Sequence, residues 1–160
     1  IFLSMVWKMK SRAERPSGRT FYIRLYNSEI WTLTENALRN IDSFHRRVLR
    51  TYILNVKYPE IISNEEVYRK TKQTPWSTII KRRRLKWLGH AYRLPKNTPV
   101  AKALNYSHEL YVKKRGRPKL TWNTQCLKQL KDLGHNVTHR ELQGLADNKS
   151  LWKDICKLQN

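Results

Sequence analysis

The chain has 160 residues, 33 of them Lys or Arg against 12 Asp or Glu, for a net charge of +21. With 39% apolar and 28% charged residues it fits neither a membrane-spanning nor a compositionally disordered class, and its length allows one domain or two small lobes. A compact fold with so large an excess of one sign repels itself, so a polyanionic partner is expected, though charge gives that partner's sign and not its identity.

The opening Ile1-Phe2-Leu3-Ser4-Met5-Val6-Trp7 is apolar but short, with no basic segment before it and no small-residue cleavage site after it. Neither a signal peptide nor a membrane span is expected there. A first residue other than Met suggests a fragment of a longer reading frame, and a trimmed chain would look the same. Residues 1–20 match no recognisable element. Phe21–Tyr26 suits strand or helix by propensity, and helix is preferred.

From there caps and periodicity predict helices. Thr32 and Glu35 have capping-box spacing, with Thr34 as a second cap, ahead of the stripe Ala37, Leu38, Ile41, Phe44, Val48, Leu49 and Tyr52. Ser63 and Glu66 form another capping-box pattern before a short helix through Lys70. Thr74-Pro75 reads as cap plus first-turn proline for a helix to about Leu94, and Thr98-Pro99 repeats the device. Residues 107–119 read as an exposed basic loop. Trp122, Cys126, Leu127, Leu130 and Leu133 give a further stripe, stopped by Gly134 in a left-handed cap. Thr138 with Glu141 opens the next helix, and Leu151, Trp152, Ile155 and Leu158 line the last. The expected fold is all-α, about six or seven helices in one irregular domain or two small lobes. Its divisions are 1–20, unassigned; 21–94, ending in a basic helix; and 95–160, a helical lobe with the basic loop.

Charge is concentrated: residues 74–119 hold 13 basic groups and one acid, Glu109. Within them Lys81, Arg82, Arg83, Arg84 and Lys86 are candidates to grip phosphates from a helix, with Trp87 and Leu88 expected in the core. Lys113, Lys114, Arg115, Arg117 and Lys119 form a second candidate grip. Its Arg115-Gly116-Arg117-Pro118 is similar to the AT-hook core, in which extended arginines follow a narrow minor groove. His135 and His139 with Cys126 and Cys156 make a poor zinc set, because no C-x2-C pair exists and the histidines straddle a helix start. No metal and no cofactor are expected. His90 reads as a helix-end or packing residue and Cys126 as a small core residue. Phosphate-binding loop, nucleophile-elbow and zinc-protease motifs are missing, and Glu65-Glu66 is the only adjacent acidic pair. Two-metal polymerase or nuclease chemistry needs clustered carboxylates, so no catalytic centre is assigned to this chain.

Five blocks together carry a resemblance. Leu25-Tyr26-Asn27-Ser28-Glu29-Ile30-Trp31-Thr32-Leu33-Thr34 resembles the stretch that follows the polymerase core in non-LTR retrotransposon reverse transcriptases. Asp42–Arg50 resembles that family's next helix, Ser63-Asn64-Glu65-Glu66-Val67 its following helix start, and Arg83-Arg84-Leu85-Lys86-Trp87-Leu88-Gly89-His90 its basic R-R-L-R-W-L-G-H block. Gly116-Arg117-Pro118-Lys119-Leu120-Thr121-Trp122 is similar to its G-R-P-x-x-T-W element. The blocks keep the family's order over about residues 22–158. The resemblance implies the thumb-onward, C-terminal part of an endonuclease–reverse transcriptase, helping to hold RNA, DNA or their hybrid beside an upstream polymerase core. It also implies an intracellular, nuclear or nucleocytoplasmic setting. Asn27 stands where the family usually has glycine, although Asn is the next best residue for a left-handed backbone. The family's catalytic aspartates and endonuclease would lie upstream. Two other readings remain open: a free-standing DNA-binding protein using the Arg115–Pro118 segment, and a basic interaction module for acidic proteins or anionic lipid.

Overall fold

A computed structural model describes residues 25–109, 116 and 120–157. These residues form seven α-helices, a 3-10 turn and a short π-helical turn, with no strand among them, so the fold is all-α. The described residues separate into two compact units, 25–26 with 44–73 and 27–43 with those from 74 to 157.

Helix α1 (Glu35–Val48) starts in the larger unit; in the smaller unit its end, from Phe44, runs into the π-helical turn Leu49–Ile53, and α2 spans Asn64–Thr71. Val48, Leu49 and Val67 are buried, and the buried His45 ring lies 5.7 Å from that of Tyr68. Arg50 ties the turn to the start of α2, donating to the Ile62 carbonyl at 3.0 Å and to Asn64 Oδ1 at 2.8 Å. Ser63 caps α2 as its sequence suggests, accepting from the Glu66 amide at 3.2 Å. The reciprocal half of the expected capping box is replaced: the Glu66 carboxylate accepts both bonds of a forked Arg69, a stronger charge-assisted partner than an amide.

The larger unit begins with Asn27, left-handed at φ 54, which turns the chain into the 3-10 turn Ser28–Ile30. Thr34, rather than Thr32, caps α1, accepting from the Ala37 amide at 3.2 Å. Helices α3 (Trp76–Tyr92), α4 (Pro99–Glu109), α5 (Trp122–Asp132), α6 (His139–Asp147) and α7 (Lys149–Lys157) follow. Helix α3 is the hub, packing against the 3-10 turn and against α4, α5, α6 and α7. A helix enclosed on several sides has no single apolar stripe, and Ile80, Leu85, Leu88, Gly89 and Ala91 are all buried. Around it close Cys126 and Leu130 from α5, Leu142 and Ala146 from α6, and Trp152, Ile155 and Cys156 from α7.

The caps of this unit refine the sequence reading. The start of α3 is capped from a distance: Asp42 accepts from the Ser77 amide at 2.9 Å and from its hydroxyl at 2.5 Å, where Thr74 was expected. A carboxylate there satisfies exposed amides and opposes the positive end of the helix dipole. Thr98 and Pro99 open α4 as expected, with Thr98 Oγ1 accepting from the Ala101 amide. Helix α4 continues to Glu109, so residues 107–109, expected in the basic loop, are helical; no glycine or proline interrupts that stretch after Pro99. Gly134, at φ 86, ends α5 with the paired bonds of a Schellman motif, His135 N to Leu130 O and Gly134 N to Lys131 O, both 2.9 Å. Thr138 and Glu141 pair as expected, the Thr138 amide donating to Glu141 Oε2 at 2.7 Å. In α7, Trp152 and Ile155 are buried but Leu151 is exposed, and Leu158 lies outside the described residues. Among the described residues, no helix is long and apolar enough to cross a membrane.

Candidate nucleic-acid interface

On a helix each residue turns about 100°, so four consecutive basic residues point nearly all the way round and one of them must face the core. That residue is Arg84. It is 2% exposed and occupies the stripe of Ile80, Leu88 and Ala91, at steps of four, four and three. Its Nη2 donates to the Trp31 carbonyl at 3.0 Å. Burial lowers its pKa, opposed by the neighbouring Cys126 and Glu35. Arg83 is half-buried and donates from Nη1 to Ser28 Oγ at 3.4 Å. Two of the expected phosphate-gripping arginines are therefore committed to the 27–31 segment.

The cations on the other side of α3 are placed differently. Arg82, Lys86 and Arg93 recur at steps of four and seven, which puts them on one face. All three act electrostatically on the Cys156 thiol of α7, drawing its pKa down against the larger upward effect of burial. Arg93 also donates to the Ala146 carbonyl at 2.8 Å, placing a cation at the negative end of α6. Lys86 is exposed, while Lys81 and Arg82 are half-buried. Leu88 is in the core as expected; Trp87 is only half-buried, its ring 5.4 Å from that of the exposed His90. Gly89 has a packing reason: a Cβ there would lie 2.2 Å from Trp152 Nε1, whose N–H donates to the Leu85 carbonyl at 2.9 Å.

The second expected grip, Lys113, Lys114, Arg115, Arg117 and Lys119, lies outside the described residues. Gly116 is exposed, with open space where a side chain would stand. Just beyond it, the Trp122 indole donates to the Glu29 carbonyl at 2.8 Å. Gln125 clasps Leu33 at both ends of its amide, accepting from the Leu33 amide at 3.3 Å and donating to the Leu33 carbonyl. Three stretches that are far apart in sequence, at 28–33, 83–84 and 122–125, thus meet within the larger unit.

No protein-family model matches this chain, and no curated protein or solved structure matches it. Among the described residues, no group of three or more His, Cys, Asp or Glu is placed to hold a metal ion. Both cysteines are buried free thiols, and burial pushes Cys126 up to about 12. Cys126 is the core residue its stripe implies.

The sequence reading missed Ser28, Arg93, Gln125 and Gln129 as organising residues. A signal for Gln129 was present: it lies seven residues after Trp122, on the inner side of α5, and it is 6% exposed. A polar residue at a core position of an amphipathic helix marks a specific partner, here the Lys81 carbonyl at 2.8 Å.

Proposed function

We propose that this chain binds nucleic acid through its phosphates, as the post-polymerase part of a non-LTR retrotransposon endonuclease–reverse transcriptase. Lys81, Arg82 and Lys86 contact successive phosphates along α3, while Arg83 and Arg84 brace that helix against the 27–31 segment. Lys113, Lys114, Arg115, Arg117 and Lys119 supply a second grip, and RNA, target DNA or their hybrid is the ligand. An upstream polymerase core is the protein partner, and the setting is nuclear or nucleocytoplasmic. The chemistry of polymerisation belongs to residues upstream of this chain's own.

The observation that carries this reading is the bonding of separate family-like blocks to one another. Arg83 meets Ser28, Arg84 meets Trp31, and Trp122 meets Glu29. The left-handed Asn27 adds support, because it gives a backbone reason for the glycine that the resembled family usually carries there. The excess charge of +21 gives the reading its ligand class.

The test is binding of the chain to an RNA hairpin, an A·T-rich duplex, a G·C-rich duplex and heparin across a salt series. Nucleic acids bound more tightly than heparin at equal charge, with affinity falling steeply as salt rises, support the reading. Heparin bound as well as every nucleic acid leaves a basic interaction module in its place. A preference for the A·T duplex that disappears with Arg115→Ala and Arg117→Ala replaces it with minor-groove recognition.

A further inference from the structure

Helix α3 carries one aromatic pair that the fold does not use up. At about 100° per residue, Lys86, His90, Arg83 and Trp87 fall in that order along one arc, opposite the buried Leu85 and Leu88. His90 and Lys86 are exposed, and Arg83 and Trp87 are half-buried. The Trp122 and Trp152 rings are tied into the fold through their N–H groups, which donate to the Glu29 and Leu85 carbonyls. Among the described residues Trp87 makes no such bond, and its N–H is not one of the buried groups left unbonded, so it reaches solvent.

The pair has the geometry of a platform. The Trp87 and His90 ring centroids are 5.4 Å apart, with 36° between the planes, inside the range in which aromatic rings attract one another. A third ring inserted between them would need two contact distances, about 7–8 Å. A ligand ring therefore stacks on the accessible side of His90, with Trp87 behind it. Charge selects that ligand. Helix α3 has no Asp or Glu, so the pair stands among cations only, which repel a cationic ring and draw one that carries an anion. Lys86 precedes His90 by one turn, where side chains on a helix stand about 5–6 Å apart. A phosphate held by Lys86 thus leaves its own base within reach of His90.

We propose that Trp87 and His90 form a stacking platform on α3 for an unpaired base of a nucleic-acid strand whose phosphates run along Arg82 and Lys86. Every base has a ring face, so the platform takes a strand without demanding one sequence. A duplex offers it nothing, because paired bases cover each other's faces. The platform deepens the nucleic-acid reading and rests on it: phosphate contact supplies attraction, and the rings add a preference for unpaired segments.

The test uses the whole chain and three probes: a single-stranded adenosine oligomer, the same strand with abasic residues, and a duplex of equal length. The abasic strand measures phosphate contact alone, so the affinity ratio of intact to abasic strand isolates the base. That ratio is expected to be about tenfold, within what one base stacked on an aromatic side chain contributes. His90→Ala and His90→Lys are each expected to lower it about fivefold, whereas His90→Phe, a ring that can carry no charge, keeps it. Trp87→Leu retains apolar bulk without the ring behind His90 and is expected to lower it as well. Circular dichroism checks the fold, and the exposed His90 carries the test alone if Trp87→Leu does not fold. A ratio unchanged in folded His90→Ala or folded Trp87→Leu overturns the platform. So does a ratio kept by His90→Lys and lost by His90→Phe, which would make position 90 a cation site. A chain that binds intact strand, abasic strand and duplex equally keeps its phosphate contacts and loses the platform. One that binds none of the three loses the nucleic-acid reading as well.

Discussion

Gly89→Ala separates local propensity from packing, because the two demand opposite signs. In a helix interior, replacing glycine by alanine ordinarily stabilises by about 0.8–1 kcal/mol. At position 89 the new Cβ would lie 2.2, 2.5 and 2.6 Å from Nε1, Cε2 and Cδ1 of Trp152, well short of ordinary contact at 3.4–4 Å. The indole has little freedom to retreat, since its N–H is bonded to the Leu85 carbonyl and its ring is buried among α3, α6 and α7. Forced overpacking costs about 1–3 kcal/mol, and a buried N–H pulled from its acceptor costs about 1–3 kcal/mol more. Set against the propensity gain, the expected change is a net loss of about 1–5 kcal/mol. Urea unfolding followed by circular dichroism reads it as a lower midpoint at unchanged slope. Two companion variants sharpen the result. Gly144→Ala in α6, where nothing lies within 4 Å of the new Cβ, is expected to stabilise. Gly89→Ala is expected to cost much less in a Trp152→Leu background, because neighbours that share one clash are not additive. A Gly89→Ala protein as stable as the parent would refute the packing account.

Three further outcomes follow from the same geometry. Arg84→Ala is expected to destabilise by about 2–4 kcal/mol, removing a charge-assisted bond and leaving the Trp31 carbonyl unsatisfied. Arg84→Met is expected to cost less, since it fills the space without a buried charge, and thermal melts of the pair decide this. Cys126, held up to about 12 by burial, is expected to resist thiol reagents at pH 8 until denaturant is added. Its raised pKa also means that its share of stability is full below the ordinary thiol range and is lost as pH rises toward 12; prompt labelling of native protein would contradict both statements. Glu141 is held below its usual range by backbone and side-chain bonds from Thr138. The start of α6 should therefore stay ordered above the ordinary carboxylate pKa and loosen as acid protonates Glu141, an effect absent in Glu141→Gln and visible by amide exchange.

The helices were legible in the sequence because their signals are local. Ser63, Thr98, Thr138 and Gly134 each act on residues within one turn, so a chain read in order reveals them. Asp42 capping α3 from 35 residues away was not legible, since nothing at position 42 marks its partner. The candidate interface divided along the same line. A run such as Lys81–Arg84 announces charge, but which member turns inward depends on the neighbours wrapped around α3. The stripe Ile80, Leu88, Ala91 does point to Arg84, once the period is followed through a basic residue rather than stopped at it. Arg93 drew no attention because its carbonyl partner on α6 lies 53 residues away. The Gln129 signal was local but easily passed over, one amide on the inner face of α5.

The central claim, that α3 contacts phosphates with its outer cations while its inner arginines hold the fold, is tested most directly by salt titration of a double variant. Arg82→Gln with Lys86→Gln would be compared with the parent chain on one RNA hairpin, from low to physiological salt, with folding checked in parallel. The account predicts weaker binding and a shallower dependence of log affinity on log salt, by about 0.7–0.9 for each phosphate no longer neutralised, with the unfolding midpoint unchanged. An unchanged slope in a folded double variant would contradict it.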